Sequence, residues 1–235
     1  MSEQELFSAD ALRTPASSLL PDERMSAFTI IDQWQLRTIT QADHHGAISR
    51  FEVGPAVPVA VRIHFETARN LYLYAWFVYR FYPVAEQHAL TSLEFALRER
   101  LILGYLSESR AERVGLSDLL KRARNNGLIS NDALRGRQRW AMEMARKRHS
   151  LLQLSVMIAS GCDTLSSDDS HIEPTAEDLS HNWIDDFIER LPNIRNDYSH
   201  GSQTLRHTVL HTFEVASDLI NQLFPPKCNL QQPYA

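Results

Sequence analysis

The sequence predicts a mainly α fold: a helical bundle over residues 63–235, preceded by a small, irregular or β-containing N-terminal extension over residues 1–62. Three observations predict it. From about Phe65 onward apolar residues recur at three- and four-residue spacing, the period of a helix with one buried face. Helix-starting and helix-stopping residues punctuate that region between the apolar runs. Before it, short β-prone runs alternate with turn formers, and no helical period is sustained.

In the extension, Phe28-Thr29-Ile30-Ile31 and Val59-Ala60-Val61-Arg62-Ile63 read as strands, and Asp43-His44-His45-Gly46 and Gly54-Pro55 as turns or loops. The first bundle helix is expected over 65–82, and Pro83, tolerated in a first turn, opens a second that runs to about Ser107. A shorter helix starts at Ser117 and stops at Asn126-Gly127. Asn131 or Asp132 caps a long helix reaching Ser160-Gly161, and a polar loop follows from Asp163 to Pro174. Thr175 with Asp178 three residues on forms a capping box for the helix that leads to residue 195. Pro192 either kinks that helix or restarts it, and residues 203–224 supply the last amphipathic helix before Pro225-Pro226.

Composition narrows the class. Apolar residues at 43% and charged residues at 23% are ordinary for a globular protein, and 235 residues suffice for one sizeable core with an appendage. No segment has the length of a membrane span, and the first thirty residues lack the plan of a signal peptide, so a cytoplasmic protein is expected. Cys162 and Cys228 stand far apart without a Cys/His cluster, and the ten histidines fall at spacings that no common site uses. Neither a metal nor a cofactor is therefore expected. A GxSxG elbow, a Walker loop and a glycine-rich dinucleotide turn are all absent from the sequence.

The net charge of −5 lacks the basic balance of most nucleic-acid binders, but its distribution is uneven. Residues 121–148 hold nine Lys or Arg against Asp132 and Glu143, an excess of seven positive charges, whereas 163–190 hold nine acids against Arg190 alone. Two readings stand side by side: solvated helix faces that neutralise one another, or an RNA-facing patch carried by Arg135, Arg137 and Arg139.

Two positions break the helical pattern. Leu90, Leu93, Leu97 and Leu101 make an apolar stripe, and Glu94 falls within it; a carboxylate in a core stripe needs a partner. Trp183, Ile184, Phe187, Ile188, Leu191 and Ile194 make another, and Arg195, four after Leu191, continues that face. Glu94 and Arg195 are therefore expected to meet, either as a plain buried ion pair or to hold a guanidinium ready for substrate.

Arg195-Asn196-Asp197-Tyr198-Ser199-His200 then places a planar cation and a proton-transferring imidazole close together, a pairing suited to a phosphodiester. On a helix Asn196 and His200 share a face, while Arg195 and His200 diverge by about 140°. The string Arg195-Asn196-x-x-x-His200, late in a helical bundle and preceded by Glu94 on an earlier helix, resembles the signature of the HEPN superfamily. The likeness covers roughly 65–225. It implies a metal-independent endoribonuclease with Arg195, Asn196, His200 and Glu94 at its site and activity completed across a homodimer; Tyr198 and, from the charge pattern, Arg135, Arg137 and Arg139 are then the candidate RNA contacts. It also implies a toxin or defence effector, with an antitoxin or defence-complex protein as partner. One variant of the family has a tyrosine two residues after the histidine as the target of a nucleotidyltransferase; Ser202 stands there in this chain. A non-cutting RNA-binding or protein-interaction module, and a purely structural Arg195, are the competing expectations.

Overall fold

The helical period that begins near Phe65 belongs to a mainly α fold with a two-stranded antiparallel sheet near the N-terminus, as the sequence predicts. The computed structural model describes residues 8–111, 113–164, 171–199 and 209–226, without the side chains of Arg110, Tyr198 and Ser199. Strands β1 (Thr29–Asp32) and β2 (Gln35–Thr38) pair with Ile31 opposite Leu36. Gln33 and Trp34 form the turn at φ 48° and 66°, the doubly left-handed backbone that suits a two-residue hairpin.

Two parts of the extension differ from expectation. Residues 43–46 lie inside α1 (Gln41–Ser49), because Thr40 and Asp43 cap each other: Asp43 N–H donates to Thr40 Oγ1 at 3.2 Å and Thr40 N–H to Asp43 Oδ2 at 2.8 Å. Arg37 from β2 grips the same carboxylate. That box outweighs the turn tendency of His44-His45-Gly46. Likewise 59–63 open α2 (Val59–Tyr74), where Val61, Phe65, Ala68 and Tyr72 are buried at helical rather than alternating intervals.

Helix α3 (Phe81–Ile102), with Pro83 in its first turn, is the centre of the bundle; α2 packs on it, as do α8 (Trp183–Ser199) and α9 (Val209–Leu223). Ile48, Phe51 and Val57 from the extension join the same core as Leu97 and Phe213. Between α2 and α3 the rings of His64 and His88 stack 4.1 Å apart at 10°. Ser92 donates its hydroxyl hydrogen to His88 O at 2.8 Å, so His64 Nδ1–H must donate to Ser92 Oγ, also at 2.8 Å. Burial lowers the pKa of both imidazoles, and of His44. Below their ordinary value near 6.5 the unfolded chain then binds more protons than the folded one, so stability falls as pH drops from 7 towards 5. Urea midpoints measured across that range should show this slope, flattened in a His64→Gln, His88→Gln double variant.

After the short helix α4 (Glu108–Ala111), α5 (Leu116–Asn125) ends at Gly127, whose φ of 66° fits the predicted stop. Helix α6 (Arg137–Ser160) begins later than Asn131, because Asn131–Ala133 make only a 3-10 turn and the Asn131 side chain serves another helix, accepting from Ile184 N–H at 3.0 Å. Helix α7 (Ala176–Ser180) carries the expected Thr175/Asp178 capping box, but it stops after five residues, and α8 starts afresh at Trp183. Pro192 sits inside α8 and cannot donate to Ile188 O; Ser117 Oγ of α5 approaches that carbonyl at 3.5 Å instead.

Candidate functional site

Burial of Leu90, Leu93, Leu97 and Leu101 fixes the rotation of α3 and carries Glu94 inward, to 3% exposure. Burial of Ile184, Phe187, Ile188 and Leu191 does the same for α8 and turns Arg195 towards α3. The two side chains meet across 101 residues of sequence, with Arg195 Nε 3.5 Å from Glu94 Oε2. Glu94 Oε2 accepts no hydrogen bond despite its burial, so this contact is an ion pair without hydrogen-bond alignment. The other oxygen, Oε1, accepts a short bond from Arg98 Nη2, one helical turn on. Arg98 also donates through Nε to Ala111 O at 3.2 Å and through Nη2 to Val114 O at 3.3 Å, tying α3 to the segment before α5. One carboxylate is thus shared by two guanidinium groups. Arg98 is the member of this group that the sequence reading passed over, although a Glu/Arg pair at i, i+4 signals it.

Glu94, Pro192, Arg195 and Asn196 line a cleft of about 210 Å³, closed on its far side by Gly115–Asp118, the first turn of α5. Gly115 offers that helix no side-chain cap, so its leading amides and the positive end of its dipole face the cleft. Arg195 Nη1 donates to Asn196 Oδ1 at 3.4 Å. Glu94 stands beside Arg195 and Asp118 in the first turn of α5, so an anion entering here meets a carboxylate next to each of the two groups that would attract it. His200, and the side chain of Tyr198, lie outside the described residues.

The three patch arginines are not gathered at this cleft. Arg135 pairs with Asp218 and donates to Ser217 Oγ at 3.0 Å, Arg137 pairs with Asp132 and donates to Leu179 O at 3.0 Å, and Arg139 pairs with Glu214. Arg135 and Arg139, both half exposed, instead border a separate hollow of about 230 Å³ with Arg50, Phe51 and Glu214. Arg124–Asp185 and Arg148–Asp178 pairs further join the basic segment to the acidic one, as the neutralising reading of the charge pattern expects.

A larger hollow, about 350 Å³, was not legible in the sequence. Its walls include His44 of α1, Tyr72 of α2 and Tyr82 of α3, with Phe28 just before β1 and Tyr79 in the connection between α2 and α3. His44 is held neutral by burial; its Nε2–H donates to Tyr72 O at 2.9 Å, and Tyr82 OH approaches Nδ1 at 3.4 Å. Among the described residues no group of three or more His, Cys, Asp or Glu comes together to hold a metal ion, and no helix is long and apolar enough to cross a membrane.

No family model, curated protein or solved structure matches the chain.

Proposed function

We propose that the chain is a cytoplasmic, metal-independent endoribonuclease of the HEPN type, acting as a toxin or defence effector and completed by a second copy of itself. The observation that carries this reading is the meeting of Glu94 with Arg195 beside an uncapped helix N-terminus. A guanidinium held from behind by a buried carboxylate needs little reordering when a phosphate arrives, which is what stabilising a charged transition state requires. In the proposed reaction His200 accepts the proton of the ribose 2′-hydroxyl, the 2′-oxygen attacks phosphorus, and the 5′-oxygen leaves and takes up a proton. Arg195 offsets the charge that builds on the phosphorane, and Asn196 donates a hydrogen bond to it. The products are a 2′,3′-cyclic phosphate and a 5′-hydroxyl.

A second reading, an RNA-binding or partner-binding module that does not cut, is favoured by one observation: Glu94 is shared by Arg98 and Arg195 and so also serves as a packing device. Labelled single-stranded RNA incubated with the protein in EDTA separates the two. Cleavage that His200→Ala and Arg195→Ala both abolish supports the nuclease. Binding without cleavage, weakened with a shallower salt dependence when Arg135, Arg137 and Arg139 are changed, supports the module. Equal cleavage by all three proteins indicates a contaminating nuclease and counts against the assignment of cleavage to this chain.

A further inference from the structure

Ala145 is the last buried residue of α6. The helix nevertheless continues for fifteen residues and ends cleanly, with Gly161 in the left-handed conformation at φ 66° and its N–H donating to Met157 O. Residues 149–160 contain no Lys, Arg, Asp or Glu. Over that stretch Leu151, Leu152, Leu154, Val156 and Ile158 are 58%, 60%, 51%, 52% and 75% exposed, and none of them belongs to the hydrophobic core. Helices draw most of their stability from packing an apolar face, and a helix that is apolar over most of its circumference is ordinarily covered. A cluster of this size on the surface marks an interaction site.

The sequence around the cluster indicates what covers it. Arg146 and Lys147, both exposed, stand just before it and the exposed Asp163 just after it; none of the three forms an ion pair among the described residues. Leu151, Leu154 and Ile158 are spaced by three and four, the seam of a two-helix contact. Side by side and antiparallel, two such segments set Leu151 of each copy against Ile158 of the other, with Leu154 near the two-fold axis. The same register brings Arg146 and Lys147 of each copy to Asp163 of the other. A parallel arrangement would stack the bases on the bases and the acids on the acids.

We propose that the exposed end of α6 is a self-association surface, on which a second copy of this chain docks antiparallel about a two-fold axis through the region of Leu154. The contact is isologous, each copy giving and receiving the same side chains. Three helical turns a side fall at the small end of the range for stable interfaces, about 1,200 Å² in total, so the dimer is expected to dissociate at micromolar concentration. No residue of this surface lines the Arg195 cleft. The surface is therefore argued without the ribonuclease reading; a chain monomeric at every concentration overturns both this surface and the homodimeric site, whereas a dimer indifferent to Leu154→Asp overturns this surface alone.

Sedimentation velocity of the full chain between about 1 and 200 µM should show a monomer passing to a dimer, and Leu154→Asp should hold it monomeric with the circular dichroism and thermal midpoint that the native chain shows at about 1 µM, where it is monomeric. Register is tested by oxidation. With Cys162 and Cys228 replaced by serine, Leu154→Cys is expected to give a disulfide-linked dimer. Cys162 retained alone, with Cys228→Ser, should not, because the antiparallel arrangement holds the two copies of residue 162 at opposite ends. A monomer at every concentration, a dimer indifferent to Leu154→Asp, or crosslinking through Cys162 and not through Leu154→Cys would each overturn the proposal.

Discussion

Replacing Arg195 with alanine is expected, on the proposed ribonuclease reading, to lower RNA cleavage in EDTA by a factor of about 10² to 10³, the usual loss when one preorganised donor to a developing anion is removed. The chain should remain folded, because the Arg195 side chain is 39% exposed and an ion pair at such a position contributes under about 1 kcal/mol. Glu94→Ala should behave differently. Its carboxylate is buried and accepts from Arg98, so removal leaves the part-buried Arg98 guanidinium without its charged partner and costs about 1–3 kcal/mol of stability as well as activity. Glu94→Gln keeps an acceptor for Arg98 while removing the charge that faces Arg195, and should recover most of the stability but not the rate. Rate measurements beside urea denaturation of all three variants distinguish a positioning carboxylate from a mere packing pair. Wild-type cleavage by Arg195→Ala would refute the assignment, and equal rates for Glu94→Gln and the native chain would show that the ion pair serves only the fold.

The largest loss of stability is expected at Phe213 of α9. This side chain is fully buried, with its ring edge-to-face against Phe65 at 5.8 Å and Tyr72 at 6.0 Å, so it joins α9 to α2. Phe213→Ala removes those ring contacts and leaves a cavity that neighbouring helices cannot close without losing their own packing. A cost of about 3–5 kcal/mol follows, read as a lower urea midpoint at unchanged slope. A loss below about 1 kcal/mol would mean that α9 is not packed as described. Leu154→Asp, on the exposed end of α6, serves as the contrast, since it should leave the thermal midpoint of the monomer where it is.

The sequence made the bundle legible because burial imposes a period, and the stripes on α3 and α8 were read correctly down to the meeting of Glu94 with Arg195. It was less legible where two local signals competed. Asp43-His44-His45-Gly46 contains good turn formers, yet the Thr40/Asp43 box, reinforced by Arg37, commits the segment to helix. Val59-Ala60-Val61-Arg62-Ile63 has the composition of a strand, but among the described residues no strand pairs with it, and it instead buries Val61 with Phe65 and Ala68 on one helical face. Asn131 was expected to cap its own helix and instead caps α8, a choice that depends on a neighbour 53 residues away.

Side-chain chemistry and period, both local, were enough to determine a mainly helical chain, the inward rotation of Glu94 and Arg195, and the stop signals at Gly127 and Gly161. What surrounds each group was decided by tertiary structure, because partners come from elements distant in sequence. Folding brings the uncapped end of α5 to Arg195 and closes a cleft around it. It pairs Arg135, Arg137 and Arg139 with Asp218, Asp132 and Glu214. It leaves the apolar end of α6 outside the core, a property of packing that no run of residues records by itself.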